Sequence, residues 1–270
     1  MSMKFKACFL MAMAAGALWG QEAPQETKPQ PRQPPPLSTG AVFKEPVYVR
    51  RFSAGVTLSV LGLSPFRRDS AFVYTELPPV DAVHDTEDIS RRVGFGLTVQ
   101  GAVSERWAVN AGIFLRPNIG YTRFSDIYEG TDNPSTPQDD RTHINRREET
   151  RFRYYDIPVT LRYYGLDRHD PGPRWFIEFG GALRRVARVR TSISQQVGDE
   201  DMQCCDTTPA TPARRTIRGL VAGFGVQVID PVGVRVVPQV RFTRWAADTF
   251  DQPSTSTQRN QLEAMISLTF

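Results

Sequence analysis

Histidine is the first residue type to test for chemistry, because it is the side chain that most often acts as a general acid or base. The chain has His84, His143 and His169. His84 lies beside an aspartate, and His143 follows two aspartates within four residues, which resembles the acid that orients the base in a Ser/His/acid set. No such set falls on the predicted strands described below, and acidic loops with a stray histidine are common by chance. We therefore predict no enzymatic activity and keep a hydrolase as the least favoured alternative.

The cysteines give no firmer indication of chemistry. Cys204 and Cys205 are adjacent in a polar segment, whereas Cys8 lies in an apolar run near the start of the chain. No histidine or further cysteine stands at metal-ligand spacing from the pair, so we predict no metal and no cofactor. The pair could form a strained vicinal disulfide, bridge two molecules or be two incidental thiols, and these alternatives stay open.

The first 48 residues are predicted to lie outside the folded unit. Residues 1–20 have two lysines among the first six residues and continue with an apolar run too short to cross a bilayer as a helix, which is typical of a secretory signal peptide. Residues 21–48 are rich in proline and glutamine, which favours an extended, solvated tether over a proline-rich ligand for a partner domain. Residues 49–270 are then enough for one β-domain.

Eight segments of this domain alternate apolar and polar residues with the period of a β-strand. Within each segment the apolar residues keep to one parity, as Val56, Leu58 and Val60 do in the first. The segments cover residues 52–60, 93–103, 107–116, 154–163, 175–184, 219–228, 234–242 and 261–270. Pro158 falls in the middle of the fourth segment, where the missing ladder donor predicts a bulge or kink. Pro117 and Pro238 also lack the N–H that a strand residue donates to its neighbour.

The polar parity carries full charges where a soluble barrel would have its hydrophobic core. Buried charges without partners are costly, so we predict the inverse arrangement, with apolar side chains towards lipid and charges paired across a narrow lumen. The predicted lumen charge network consists of Arg116, Asp156, Arg162, Glu178, Arg184, Arg235, Arg241 and Glu263. For any single strand, a soluble sandwich or lipocalin-like barrel remains the alternative.

The connections between strands alternate in length. Short ones follow the second, fourth and sixth strands, whereas long polar segments occupy residues 64–90, 124–150, 192–213 and 246–258. Short periplasmic turns and long outer loops are typical of bacterial outer-membrane barrels. The sequence thus predicts an all-β fold, an eight-stranded antiparallel up-and-down transmembrane β-barrel in the bacterial outer membrane, with the tether in the periplasm. A helical membrane protein is not predicted, since no second long apolar run exists.

Seven arginines fall on the apolar parity where the strands would leave the bilayer towards the long loops. They are Arg91, Arg123, Arg151, Arg153, Arg185, Arg218 and Arg244. Guanidinium groups suit the phosphates of lipopolysaccharide, because they can donate two parallel hydrogen bonds. The alternative is that these arginines bind no ligand and extend their charged ends into water at the edge of the bilayer. The arginines explain the net charge of +4. Nucleic-acid binding is not predicted, because no basic cluster is set among exposed aromatic residues.

Three stretches of the predicted strands carry a resemblance to a known family. The stretch Tyr154–Tyr164 contains the order acidic residue, isoleucine, proline, aliphatic residue. The strand Trp175–Leu183 comes next, and the glycine-rich stretch Gly219–Gly225 comes later in the chain. Together they resemble the small porin-like outer-membrane β-barrel family, over most of residues 52–270. The resemblance implies the barrel and its location, and it implies that the barrel-assembly machinery recognises Phe270 as an assembly signal. The family has no single activity, so no reaction is implied.

The predicted function is architectural. Eight strands leave an interior that side chains can fill, so we expect a structural barrel, or one that binds a surface ligand through its long extracellular loops. Its other expected partners are outer-membrane lipid and lipopolysaccharide. A narrow porin that passes small solutes or anions is the alternative.

Overall fold

The computed structural model describes residues 51–169, 172–198, 200, 203–205, 209–229 and 234–270. The predicted signal peptide and the predicted tether lie outside the described residues. The described part contains the strands β1 Phe52–Leu61, β2 Ser70–Glu76, β3 Pro79–Asp88, β4 Val93–Ala102, β5 Trp107–Glu129, β6 Thr142–Tyr164, β7 Arg174–Val197, β8 Gln203–Cys205, β9 Thr216–Ile229, β10 Arg235–Trp245, β11 Asp251–Gln252, β12 Thr255–Ser256 and β13 Asn260–Thr269. Among these residues, no helix is long and apolar enough to cross a membrane.

Eight of the strands form a closed antiparallel barrel. The order around the ring is β1, β4, β5, β6, β7, β9, β10 and β13, and β13 pairs back with β1. The closing ladder runs from Gly55 opposite Thr269 to Leu61 opposite Glu263. Strands that follow one another in the barrel are neighbours in the ring, so the predicted eight-stranded up-and-down fold is confirmed.

The outward face of the barrel is apolar and the inward face is polar. In β10 and β13, buried and exposed residues alternate without a break, and the exposed ones include Phe242 and Ile266 while Arg241 is buried. Glycines on the inward face make room for large side chains. A Cβ on Gly223 would lie 2.8 Å from the Cγ atom of Glu178, closer than real Cβ contacts, so this inward position needs glycine.

β5, β6 and β7 are more than twice as long as the segments predicted from their periodicity, at 23, 23 and 24 residues. Beyond the barrel they form a sheet with β2, β3 and β8, which we call the loop-side sheet. The prediction of long loops at residues 64–90 and 124–150 was therefore wrong in large part. These strands extend past the apolar wall and carry polar residues on both faces, so they lack the single apolar parity that marks a barrel strand.

Two bulges lie where β5 and β7 pass from the barrel into the loop-side sheet. One falls between Arg116 and Ile119 in the β5–β6 ladder, and Asn118 there has a φ of 58°. The other adds a residue to β7 near Arg188, whose φ is 52°. Because each bulge inserts one residue, the inward and outward parities exchange beyond it.

The three strand prolines each interrupt one ladder at most. Pro158 pairs with Ala182 of β7 in unbroken register and interrupts only the ladder towards β5. Pro238 likewise pairs with Ile266 of β13 and interrupts only the ladder towards β9. The bulge predicted at Pro158 was wrong, and the register shift lies at Pro117 instead. A strand residue directs its N–H to one neighbour only, so a proline leaves the opposite ladder intact.

Candidate functional site: the filled lumen and the outward arginines

A first charge layer crosses the lumen near the loop side. Asp156 accepts hydrogen bonds from the Nε atom of Arg116 (3.0 Å) and from the Nε and Nη2 atoms of Arg184 (2.7 and 2.8 Å). The other end of the Arg116 guanidinium pairs with Glu263 at 2.7 Å. All four side chains are buried. Two cations and two anions from four strands thus compensate one another inside the barrel, as buried ions require.

A second charge layer lies nearer the turn side and has Glu178 at its centre. Its two carboxylate oxygens accept one hydrogen bond each from the Nε atoms of Arg162 and Arg241, both at 2.8 Å. Arg162 also donates to the side-chain oxygen of Gln239 at 2.8 Å, and its guanidinium lies 4.5 Å from the ring centroid of Phe176. These groups connect β6, β7 and β10 inside the barrel at this level.

All eight residues of the predicted lumen network face inward, and seven of them belong to these two layers. The eighth, Arg235, is also buried, at the turn end of β10 opposite Thr269. A cavity beside Arg116, Asp156 and Arg241 has a volume of about 10 Å³, which is room for about one water molecule. The free space beside these three side chains is therefore small.

Four aromatic side chains close the loop end of the lumen, and we call them the aromatic plug: Phe66, Tyr121, Phe152 and Phe250. The Phe66 ring lies 5.1 Å from that of Tyr121 and 5.9 Å from that of Phe152. Phe250 lies 4.8 Å from Phe152 and is fully buried. Such edge and tilted contacts at 4.5–7 Å are the favourable geometries for aromatic rings.

Two loops meet above the plug and hold it in place. The backbone of Phe66 pairs with Thr257, and the N–H of Gln258 donates to the carbonyl of Pro65 at 2.7 Å. The same loop bonds to the loop-side sheet, since the hydroxyls of Thr86 and Thr255 lie 2.9 Å apart. The segments before β2 and after β10 therefore form one lid over the lumen.

Sequence reasoning missed the plug and one further feature, the stacking around Arg184. The Arg184 guanidinium lies 4.1 Å from the ring centroids of both Tyr154 and Trp245. A signal for these residues exists in the sequence. Phe66 and Phe250 are isolated aromatic residues in polar loops, and Tyr154 and Trp245 are aromatic residues on the polar parity of their strands.

Six of the seven arginines predicted to lie outward are exposed or half-buried at the loop ends of their strands. They are Arg91, Arg151, Arg153, Arg185, Arg218 and Arg244. The prediction for Arg123 was wrong, because the bulge before Ile119 exchanges the parity of β5. Arg123 lies on the inner side, where it donates to Glu148 at 2.9 Å and to Gln252 at 3.4 Å.

The structure brings His84 to a serine, which the sequence did not predict. The Nδ1 atom of His84 lies 2.8 Å from the hydroxyl of Ser125, its direct neighbour across β3 and β5. Burial and the charges of Arg123 and Arg146 lower the pKa of His84, so the ring is neutral at pH 7. A neutral histidine on a serine is a contact that nucleophilic catalysis needs. However, Ser125 is only 3% exposed, which favours a cross-strand structural bond.

The remaining candidates for chemistry do not converge. His143 stacks on Tyr128 with ring centroids 4.6 Å apart, away from His84. Cys204 and Cys205 lie in β8, opposite Ser194 and Ile193 of β7. Within the described ranges, no group of three or more histidine, cysteine, aspartate or glutamate side chains is placed to hold a metal ion.

Comparisons with known proteins find likenesses in structure only. No family model matches the sequence, and no curated protein matches it. The chain is similar to the outer membrane protein OprG from Pseudomonas aeruginosa, with 13% identity over 81% of this chain and 93% of that chain and a TM-score of 0.40. It is also similar to Ail, the attachment invasion locus protein of Yersinia pestis, with 7% identity over 82% of this chain and 100% of that chain and a TM-score of 0.30. A complex of Ail with the heparin analogue sucrose octasulfate gives 8% identity and a TM-score of 0.32 over the same shares.

Proposed function

We propose that this protein is an integral barrel of the bacterial outer membrane, with a closed lumen, that presents the loop-side sheet at the cell surface. Its role is architectural, in that the barrel anchors the sheet and the sheet makes the contacts. No catalytic step is part of the proposal. The observation that carries the proposal is an apolar outward band of bilayer height around a lumen filled by side chains.

The height of the band follows from two neighbouring strands. On β7 the outward residues run from Trp175 to Arg185, and on β6 they run from Tyr163 to Arg153, a distance of ten residue steps in each case. Ten steps of about 3.3 Å along a strand tilted by about 40° rise about 25 Å, the height of the apolar band on outer-membrane barrels. Both strands therefore change from aromatic to basic residues over one membrane thickness.

Aromatic rings on the turn side supply the second boundary of the band. The ring of Trp107 lies 5.0 Å from that of Tyr163, which lies 6.4 Å from that of Trp175. Tryptophan and tyrosine are enriched where a membrane meets water, because one part of the ring system is apolar and one part is polar. This row supports the periplasmic interface of the proposed span.

The filled lumen favours a closed barrel over the narrow porin. Two charge layers and the aromatic plug lie at three levels of the lumen. Ion pairs between strands hold the two layers, and the two loops hold the plug. A path for ions would require at least one paired guanidinium, such as Arg116 or Arg241, to leave its carboxylate. Breaking one partner from a buried pair costs several kcal/mol, so spontaneous opening is expected to be rare.

The loop-side sheet has an exposed face that suits binding. Phe72 and Tyr74 of β2 are 66% and 59% exposed, and Phe124 of β5 is exposed on the same side. Arg147 lies over the Phe124 ring at 5.6 Å. Exposed apolar patches of this kind mark interaction sites on soluble surfaces. We propose this face as the contact for a surface ligand.

A charge on the outward face tests the membrane placement. Phe179 is half exposed at the middle of the β7 span, and Phe179→Arg is expected to destabilise the barrel in phospholipid vesicles by about 2–4 kcal/mol, the cost of arginine at the bilayer midplane. The measurement is urea unfolding followed by tryptophan fluorescence. Ser192→Arg, on the outward face of the same strand but beyond the band, is the matched control and is expected to change little. Equal, small effects for both variants would contradict a lipid-facing wall.

Conductance separates the closed barrel from the porin. The full-length protein reconstituted in a planar bilayer is expected to give no single-channel steps at neutral pH, whereas a general porin inserted under the same conditions does. The physical reason is the pair of charge layers around Asp156 and Glu178. Reproducible steps of one size would contradict the closed lumen and favour the narrow porin.

A further inference from the structure

We propose that five outward arginines on β6 and β7 form a binding site for the phosphate groups of a phosphorylated glycolipid in the outer leaflet, lipopolysaccharide. We call them the β6–β7 arginine cluster: Arg151, Arg153, Arg185, Arg188 and Arg190. The inference rests on the proposed outer-membrane function and narrows the predicted ring of arginines to one side of the barrel. Arg188 and Arg190 were not among the arginines singled out from the sequence.

The cluster lies at the upper boundary of the apolar band. Arg153 and Arg185 end the outward runs of β6 and β7, and Leu183 lies directly below Arg185 on the same face. On β6, Tyr155 lies directly below Arg153, and Ile157 follows opposite Leu183. Arg151 lies two residues beyond Arg153 on the same outward face. A ligand here must therefore offer acyl chains below and anionic groups above, which describes a phosphorylated lipid rather than a soluble polyanion.

The charges of the cluster are not balanced by carboxylates of the part of the chain that the structure describes. Arg151 lies directly opposite Arg190 in the β6–β7 ladder, and like charges directly opposite on one face repel. Glu149 accepts a hydrogen bond from Arg151 at 2.5 Å. The other four arginines make no ion pair with a carboxylate of the described residues. An anion between the two strands would remove the repulsion.

The bulge in β7 increases the density of positive charge. Its extra residue near Arg188 lets β7 offer three arginines, Arg185, Arg188 and Arg190, against Arg151 and Arg153 on β6. Arg188 is exposed and has left-handed backbone geometry, with a φ of 52°, which glycine or asparagine adopts more readily. The bulge therefore places a long cationic side chain where the turn of the backbone alone would favour a small one.

The choice of basic residue also points to phosphate. All four lysines of the chain, Lys4, Lys6, Lys28 and Lys44, precede the described residues, so every long cationic side chain in the described part is arginine. The guanidinium group donates two parallel hydrogen bonds to a phosphate and loses less hydration than an ammonium group when it is partly buried. Both properties favour binding at a membrane boundary.

Binding to defined lipids tests the cluster. The full-length protein is reconstituted in phosphatidylcholine nanodiscs and titrated with diphosphorylated lipid A or with the same lipid after removal of both phosphates. The variant Arg151→Gln/Arg188→Gln/Arg190→Gln is expected to bind the diphosphorylated form about tenfold more weakly, because charge-assisted hydrogen bonds are lost. The dephosphorylated lipid is expected to bind weakly to all forms of the protein.

The matched control removes three other exposed arginines, in Arg67→Gln/Arg68→Gln/Arg92→Gln, and is expected to leave the affinity within about twofold of the original. Equal losses in the two variants would show that total charge decides, and would overturn the proposed site. Equal affinities for the diphosphorylated and the dephosphorylated lipid would also overturn it. Insertion is followed separately, by faster migration of unboiled protein on a denaturing gel. If the unaltered protein fails to insert, the outer-membrane proposal falls together with the site.

Discussion

Asparagine in place of Asp156 is expected to lower the free energy of unfolding by about 3–5 kcal/mol. The substitution removes the negative charge that Arg116 and Arg184 share at 2.7–3.0 Å, and it leaves two guanidinium groups in the lumen with one remaining carboxylate, Glu263, beside them. An asparagine side chain keeps the volume of the aspartate, so the effect isolates the charge. Urea unfolding in phospholipid vesicles, followed by tryptophan fluorescence, measures it.

Asp248→Asn is the control for this experiment. Asp248 pairs with Arg259 at 2.6 Å, but half of the Arg259 side chain is exposed to solvent, and such pairs contribute about 0–1 kcal/mol. If the Asp156 variant lost no more stability than this control, water would have to solvate the lumen charges. That result would contradict the closed barrel and favour the narrow porin.

Truncating Phe66 is expected to cost about 3–5 kcal/mol, the usual range for removing a buried aromatic ring. Phe66 is only 2% exposed and contacts the rings of Tyr121, Phe152 and Phe250. Phe66→Ala would leave a cavity at the centre of the plug and release the two loops that meet there. We therefore expect both a lower unfolding free energy and faster proteolysis within residues 62–69 and 246–258.

Phe72→Ala is the matched control, because Phe72 is 66% exposed on the loop-side sheet and its truncation is expected to change stability by about 0.5 kcal/mol or less. The two variants remove the same group from a buried and an exposed position. Similar small effects, with unchanged proteolysis, would mean that Phe66 does not seal the lumen. The loop end would then be open.

The eight barrel strands were predictable because each is amphipathic by itself. A strand that faces lipid on one side and a polar lumen on the other has a period of two residues, and this period can be read without knowing the neighbours. The upper parts of β5 and β6 were not predictable in this way. Segments such as 124–129 and 142–150 form strands through their pairing with β3, with each other and with β7, while both of their faces carry polar residues.

The inward position of the lumen charges could be predicted from the same alternation along each strand. The residue with which each charge forms an ion pair could not be predicted in this way. Asp156 meets Arg116 from 40 residues earlier in the chain and Arg184 from 28 residues later. Which residues meet depends on the stagger of the strands when the barrel closes, which alternation along one strand does not record. The sandwich of Arg184 between Tyr154 and Trp245 depends on the same closure.

The class of fold, the strand count and the inward or outward face of the barrel residues could be predicted from the sequence, because all three depend on a local period. The inner position of Arg123, which follows from the bulge before Ile119, and the packing of Phe66 against Phe250 at the loop end are visible only in the folded chain. A bulge and a folded loop are stabilised by contacts between segments far apart in the chain. No local pattern of residue types encodes those contacts.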